Sequence, residues 1–159
     1  MQDEWQDGRV FGGAMPCFGC DPAHPHGLRL RFRRVGDEME TLFVPGEGHQ
    51  GPPGIMHGGL VSTLADETAA WALVGLERTF GFTTSFEARL LRPVRIGVEV
   101  QGRSRIVERE GRNAIVEVRL VQGGKDCFSG TFRFAILGRA EAERFLGGTL
   151  PPAFERFLA

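Results

Sequence analysis

Three rhythms of hydrophobic and polar residues divide the chain. In "GLRLRFRRV", from Gly27, the residues Leu28, Leu30 and Phe32 alternate with arginines, the period of a half-buried strand. The turn signal Gly36-Asp37 follows, and after it a second strand, "EMETLFVP". From Gly58 the step becomes three and four: Leu60, Val61, Leu64, Ala65, Thr68, Ala69, Ala72, Leu73 and Leu76 predict one long helix ending near Gly75. Beyond Gly81 the period returns to two. "FTTSFEARLL" sets Phe82, Phe86, Ala88 and Leu90 on one face, and "RPVRIGVEVQGRSRIVE", "RNAIVEVRLVQ" and "KDCFSGTFRFAIL" follow. Glu110-Gly111 and Gly123-Gly124 are the turn signals between the last three. Short turns demand antiparallel neighbours, and a single long helix between strand groups gives an α+β fold.

What lies outside these rhythms is irregular. Residues 1–26, rich in Gly, Pro, Cys and His, read as a lead-in, residues 27–138 as the folded body, and residues 139–159 as a short helix and a tail. "GEGHQGPPGI", from Gly46 to Ile55, holds four glycines and two consecutive prolines, so it is a loop with a constrained path.

Composition narrows the class. With 159 residues, 42% hydrophobic and 25% charged, the chain is one globular domain's worth. Nineteen basic and twenty acidic residues leave a formal charge of −1, so no global field draws it to nucleic acid. No run approaches the roughly 20 apolar residues of a membrane span. The first twenty residues carry acids where a signal peptide needs a basic start, and three cysteines make a poor disulfide framework. The expected compartment is the cytoplasm.

The long helix raises a question of chemistry. Asp66 and Glu67 interrupt an apolar set that covers most of its circumference. A carboxylate there is solvated on an exposed face, held by a structural partner, or catalytic in a cleft. His57-Gly58-Gly59 stands where the loop enters the helix. Either it is a plain glycine turn, or its free N–H groups and the helix dipole make an oxyanion site. Asp66 lies eight residues past Gly58, about 12 Å along the axis. Both must come within about 3 Å of one reacting carbonyl, so a site using both joins Gly58 of one subunit to Asp66 of another.

At these residues the chain resembles a known family. "HGGLVSTLADETAAWA", preceded by "HQGPPGIM" and followed by "TTSFEARLLRPVRIG", is similar to the PaaI-like hotdog-fold acyl-CoA thioesterases of phenylacetic-acid metabolism. "CFGCDPAHPHGLRLRF" is similar to a lead-in found in many of them, so the resemblance runs from Cys17 to Leu137. It implies a curved antiparallel sheet wrapped around one long helix, dimeric through edge strands and often a dimer of dimers. It also implies Asp66 as general base or nucleophile and the Gly58 N–H of the partner chain as oxyanion donor. His57 and Gly59 would shape the donor loop, and Thr83, ahead of Thr84, would orient the attacking water. Gln50 stands near the place where relatives carry an Asn or Gln, and Glu67 would support the aspartate.

Other residues are weighed on their own chemistry. His49 borders the acyl pocket or is simply polar loop. Arg92, with Arg89 and Arg95, meets coenzyme A phosphates or is solvated. Cys17, Cys20, His24 and His26 offer metal-binding atoms at a spacing too compressed for a usual zinc site, so the expectation is a packing role and no metal. No cofactor is expected, since coenzyme A is part of the substrate. The expected activity is acyl-CoA thioester hydrolysis. A non-catalytic acyl-CoA-binding domain is the alternative, and a hydratase or dehydratase the more remote one.

Overall fold

A computed structural model describes residues 4–12 and 15–158; residues 1–3, 13–14 and 159 of the lead-in and tail lie outside the described residues. Its elements run β1 (Phe32–Val35), β2 (Glu38–Phe43), α1 (Gly58–Ala72), β3 (Gly81–Leu90), β4 (Val100–Glu110), β5 (Asn113–Gln122), β6 (Lys125–Ile136) and α2 (Arg139–Leu146). The six strands form one antiparallel sheet in the order β1-β2-β4-β5-β6-β3. Helix α1 lies on that sheet and touches β2 through β6.

Small side chains let α1 sit close. Ala65, Ala69 and Ala72 are fully buried, beside Leu64 and Trp71. Opposite them Gly102 has no room for a side chain, since a Cβ there would lie 2.9 Å from Thr41 and 3.2 Å from the Thr68 hydroxyl. The polar groups buried at this contact are paired: Ser104 donates to the Thr68 carbonyl at 2.7 Å, and Thr68 donates to the Leu64 carbonyl. On β6, Phe128, Phe132, Phe134 and Ile136 are all buried, as their alternation requires.

Three boundaries differ from the pattern. The first strand begins at Phe32, because Arg29 takes a left-handed φ of 53° and Leu28 and Leu30 bond instead to the carbonyls of Phe18 and Gly19. The helix is α-helical only to Ala72 and then widens into a π-helical turn, Leu73–Glu77, closed by a left-handed Arg78. Residues 91–99 are not strand. Pro93 and a left-handed Gly97 break the ladder there, and the segment pairs with the loop before α1, Met56 N–H donating to Val94 and Ile96 N–H to Gly54. That long connection frees β3 from β4, and β3 pairs with β6 at the edge of the sheet.

The edge itself matters. Most of β3 is exposed, including Phe86 and Leu90, although Phe86 stacks on Phe132. The lead-in and tail complete the body from the other end. Phe11 packs with Trp71, Phe80, Phe154 and Phe157 in one aromatic cluster. Among the described residues, no helix is long and apolar enough to cross a membrane.

Candidate active site

Asp66 leaves α1 toward β3, where the Thr83 hydroxyl donates a 2.6 Å hydrogen bond to its Oδ1. A bulge puts Thr83 there: it pairs with Phe134, Ser85 pairs with Arg133, and Thr84 is the extra residue that bends the strand. Thr84 turns its hydroxyl to the Arg133 carbonyl instead. Burial pushes the Asp66 carboxyl above its ordinary value, and the Thr83 bond offsets part of that.

Two spaces meet at this carboxylate. On one side is a cavity of about 450 Å³, walled by Phe11, Trp71, Phe80, Phe82 and Phe134, with Cys17, Cys20 and Glu67. On the other is a more open groove bounded by Gly59, Ser62, Thr63, Thr83, Thr84 and Phe86. An apolar chain and a polar, extended group can therefore approach Asp66 from opposite sides.

The other half of the expected site lies at the start of α1. His57 caps the helix, its Nδ1 accepting the Gly59 N–H at 3.0 Å, so the neutral ring carries its proton on Nε2. The Gly58 N–H opens the first turn and has no acceptor among the described residues. Gly58 also lies against β3, where an added Cβ would come 3.2 Å from Leu90 Cδ2. Eight residues, about 12 Å of helix, separate it from Asp66, so one chain does not bring the two together.

Residues 53–128 match the family model of the thioesterase superfamily. An acyl-coenzyme A thioesterase of Xenopus laevis is 29% identical over 92 residues, which cover 56% of this chain and 40% of that protein. The chain thus spans less than half the length of that curated relative. Among solved structures, a thioesterase superfamily protein superposes with a TM-score of 0.70 at 20% identity, over 75% of this chain and 62% of that one. Zebrafish thioesterase superfamily member 2 gives 0.64 at 18% identity, over 72% and 86%. A hypothetical thioesterase of Streptococcus pneumoniae with coenzyme A gives 0.60 at 16%, over 63% and 81%. At such identities the likeness establishes the fold, and it is the hotdog fold of these thioesterases.

The matched segment contains His57, Gly58, Gly59, Asp66, Glu67, Thr83, Thr84 and Arg92. His49 and Gln50 precede it and brace the loop rather than the cavity. His49 Nδ1 accepts the Gly46 N–H at 2.9 Å, while the exposed Gln50 side chain accepts from Gly54 and donates to Glu47. Arg92 is exposed and donates to the Asp126 carbonyl.

Glu67 faces away from its neighbour Asp66. Its Oε1 accepts from Trp71 Nε1 at 3.3 Å and from Cys17 Sγ at 3.5 Å. Burial first, and then the charge of Cys17, push its carboxyl up to about 8. Cys17 moves the other way, to about 6, chiefly through its hydrogen bond with Cys20, whose own thiol is held well up by the same bond and by burial. The lead-in is therefore part of the cavity wall, which its irregular composition did not reveal. "CFGC" was the available signal, but its partner Glu67 stands 50 residues from Cys17.

Proposed function

We propose that the protein is an acyl-CoA thioesterase that works as a dimer, hydrolysing its substrate to free acid and coenzyme A. The observation that carries this reading is the Asp66–Thr83 pair at the junction of an apolar cavity and an open groove. The acyl group occupies the cavity, the thioester carbon rests beside Asp66, and coenzyme A leads out along the groove. The matched Xenopus protein bears the name of this activity, and the matched Streptococcus structure contains coenzyme A, both of which support the substrate class.

Thr83 occupies one carboxylate oxygen and fixes the other toward the thioester. Asp66 then either removes a proton from water as it attacks or attacks the carbonyl carbon itself. In both routes one water is consumed, the C–S bond breaks, and the thiolate leaves with a proton. The negative oxygen that forms on the way needs donors. Gly58 of the partner subunit supplies its N–H at a helix start, with Gly59 and the capping His57 holding that turn in shape. The exposed apolar β3 edge is the surface through which two copies meet, and Leu90 at its end already touches Gly58. Arg92 pairs with coenzyme A phosphates at the groove mouth.

The test is coenzyme A release from short, long and aromatic acyl-CoAs, run beside Asp66→Asn. The variant is expected to lose about 10²–10⁴-fold in kcat, the range for a positioned base. Full activity in the variant overturns the mechanism. Tight acyl-CoA binding by the wild type without hydrolysis of any thioester marks a non-catalytic binding domain instead.

A further inference from the structure

In the cavity that Asp66 lines, the wall carries a second group of side chains that the proposed hydrolysis does not use. Cys17, Cys20 and Glu67 place one ligand atom each within 4.8 Å of one another. We propose that these three side chains form a binding site for a soft divalent ion, Zn2+, which clamps the lead-in onto α1 and whose remaining coordination position faces the cavity.

The spacing suits the ion. Tetrahedral zinc, with Zn–S of about 2.3 Å and Zn–O of about 2.1 Å, sets sulfur and oxygen about 3.6 Å apart. Cys17 Sγ and Glu67 Oε1 are 3.5 Å apart. The turn is also shaped for a thiolate, because the Cys20 N–H points at Cys17 Sγ at 3.4 Å and steadies charge there. Gly19, between the cysteines, leaves the carboxylate its place: a Cβ on it would lie 2.4 Å from Glu67 Cδ. No cationic side chain lines the cavity among the described residues, so nothing else from that wall balances three anionic ligands. Binding exchanges the ion for the protons that Cys20 and Glu67 hold.

The ligand set differs from the Cys17, Cys20, His24 and His26 group, whose spacing in the sequence is too compressed for a usual zinc site. His24 and His26 are not in the convergent group; the His26 N–H is tied to His24 Nδ1, and the His24 ring packs on Phe18. The third ligand comes from α1 instead. Two thiolates and one carboxylate favour zinc over the hard ions, which prefer all-oxygen sites.

The claim is independent of hydrolysis, because it is read with metal alone. Reduced protein is titrated with Co2+ and with Zn2+ against a chromophoric chelator. One ion per chain and a thiolate-to-cobalt charge-transfer band are expected. Loss of an outer-sphere partner costs metal sites about 10–100-fold in affinity, so Cys17→Ser or Glu67→Gln, which removes a direct ligand, is expected to cost at least about a hundredfold. Glu67→Gln keeps an acceptor for Trp71, so its near-ultraviolet circular dichroism should match the wild type and separate ligand loss from misfolding. Gly19→Ala should weaken binding by displacing the carboxylate, whereas the double change His24→Ala, His26→Ala should leave it unchanged. Equal affinity in wild type and Glu67→Gln, a cobalt spectrum without the thiolate band, or loss of binding in the histidine variant overturns the site.

Discussion

Asp66 depends on Thr83 for its direction, because a half-buried carboxylate with no fixed partner can rotate out of line with the substrate. In the proposed reaction Thr83 acts through Asp66 and is a positioning residue. Thr83→Val removes the hydroxyl but keeps the shape, and kcat is expected to fall about tenfold with KM nearly unchanged. Thr83→Ser should restore most of the loss, and a drop in stability without a change in kcat would make the threonine merely structural. The aspartate was legible in the sequence, since an acid inside an apolar helix stands out against its period. Its partner was narrowed to a strand but not to a contact. The two residues are 17 apart, and a bulge at Thr84 decides which hydroxyl reaches inward. The turn of Glu67 away from Asp66 follows from a lead-in contact that no periodicity encodes.

At the scale of elements, the strands β1, β2 and β4 are tied through one buried acid. Glu40, 1% exposed, accepts from Arg33 at 2.6 Å, Arg103 at 2.8 Å and Gln101 at 2.7 Å. Burial pushes its carboxyl up, but the hydrogen bonds and charges of Arg33 and Arg103 outweigh it and hold it below the ordinary value of 4.5. A depressed carboxyl stabilises the fold fully above its unfolded value and loses that contribution as pH falls through the folded one. Glu40→Gln should therefore cost about 1–2 kcal/mol at neutral pH, a figure discounted because both guanidinium groups are partly solvated. The gap between the two urea midpoints should shrink below pH 4.5. A gap constant down to about pH 3 would contradict the ion-pair account. The elements themselves were largely readable from period and turn signals. Their ends were not, where a left-handed Arg29 and the Pro93 segment override a local alternation.

The proposed reaction belongs to two chains, and subunit mixing tests this directly. Gly58→Pro deletes the oxyanion donor at the first position of α1, where proline is tolerated. The extended His57 before it, with φ −56° and ψ 130°, suits a following proline. Alone it should lose about 10²–10³-fold in kcat, as loss of an oxyanion donor does. Refolding it together with inactive Asp66→Asn should restore activity. Random pairing makes half of the dimers mixed, and each of these joins a sound Gly58 to a sound Asp66 at one of its two sites, about a quarter of wild-type sites in all. No restoration would place both groups in one chain. By itself the sequence determined the central helix, the alternating strands, the α+β class and the distance along α1 that separates Gly58 from Asp66, because each follows from a repeat within a short window. Only the tertiary structure decided that β3 lies beside β6 as an open edge, that Thr83 reaches Asp66, and that Cys17, Cys20 and Glu67 meet in the cavity wall. Those contacts join residues far apart in the chain, and they exist only once the sheet has closed around the helix.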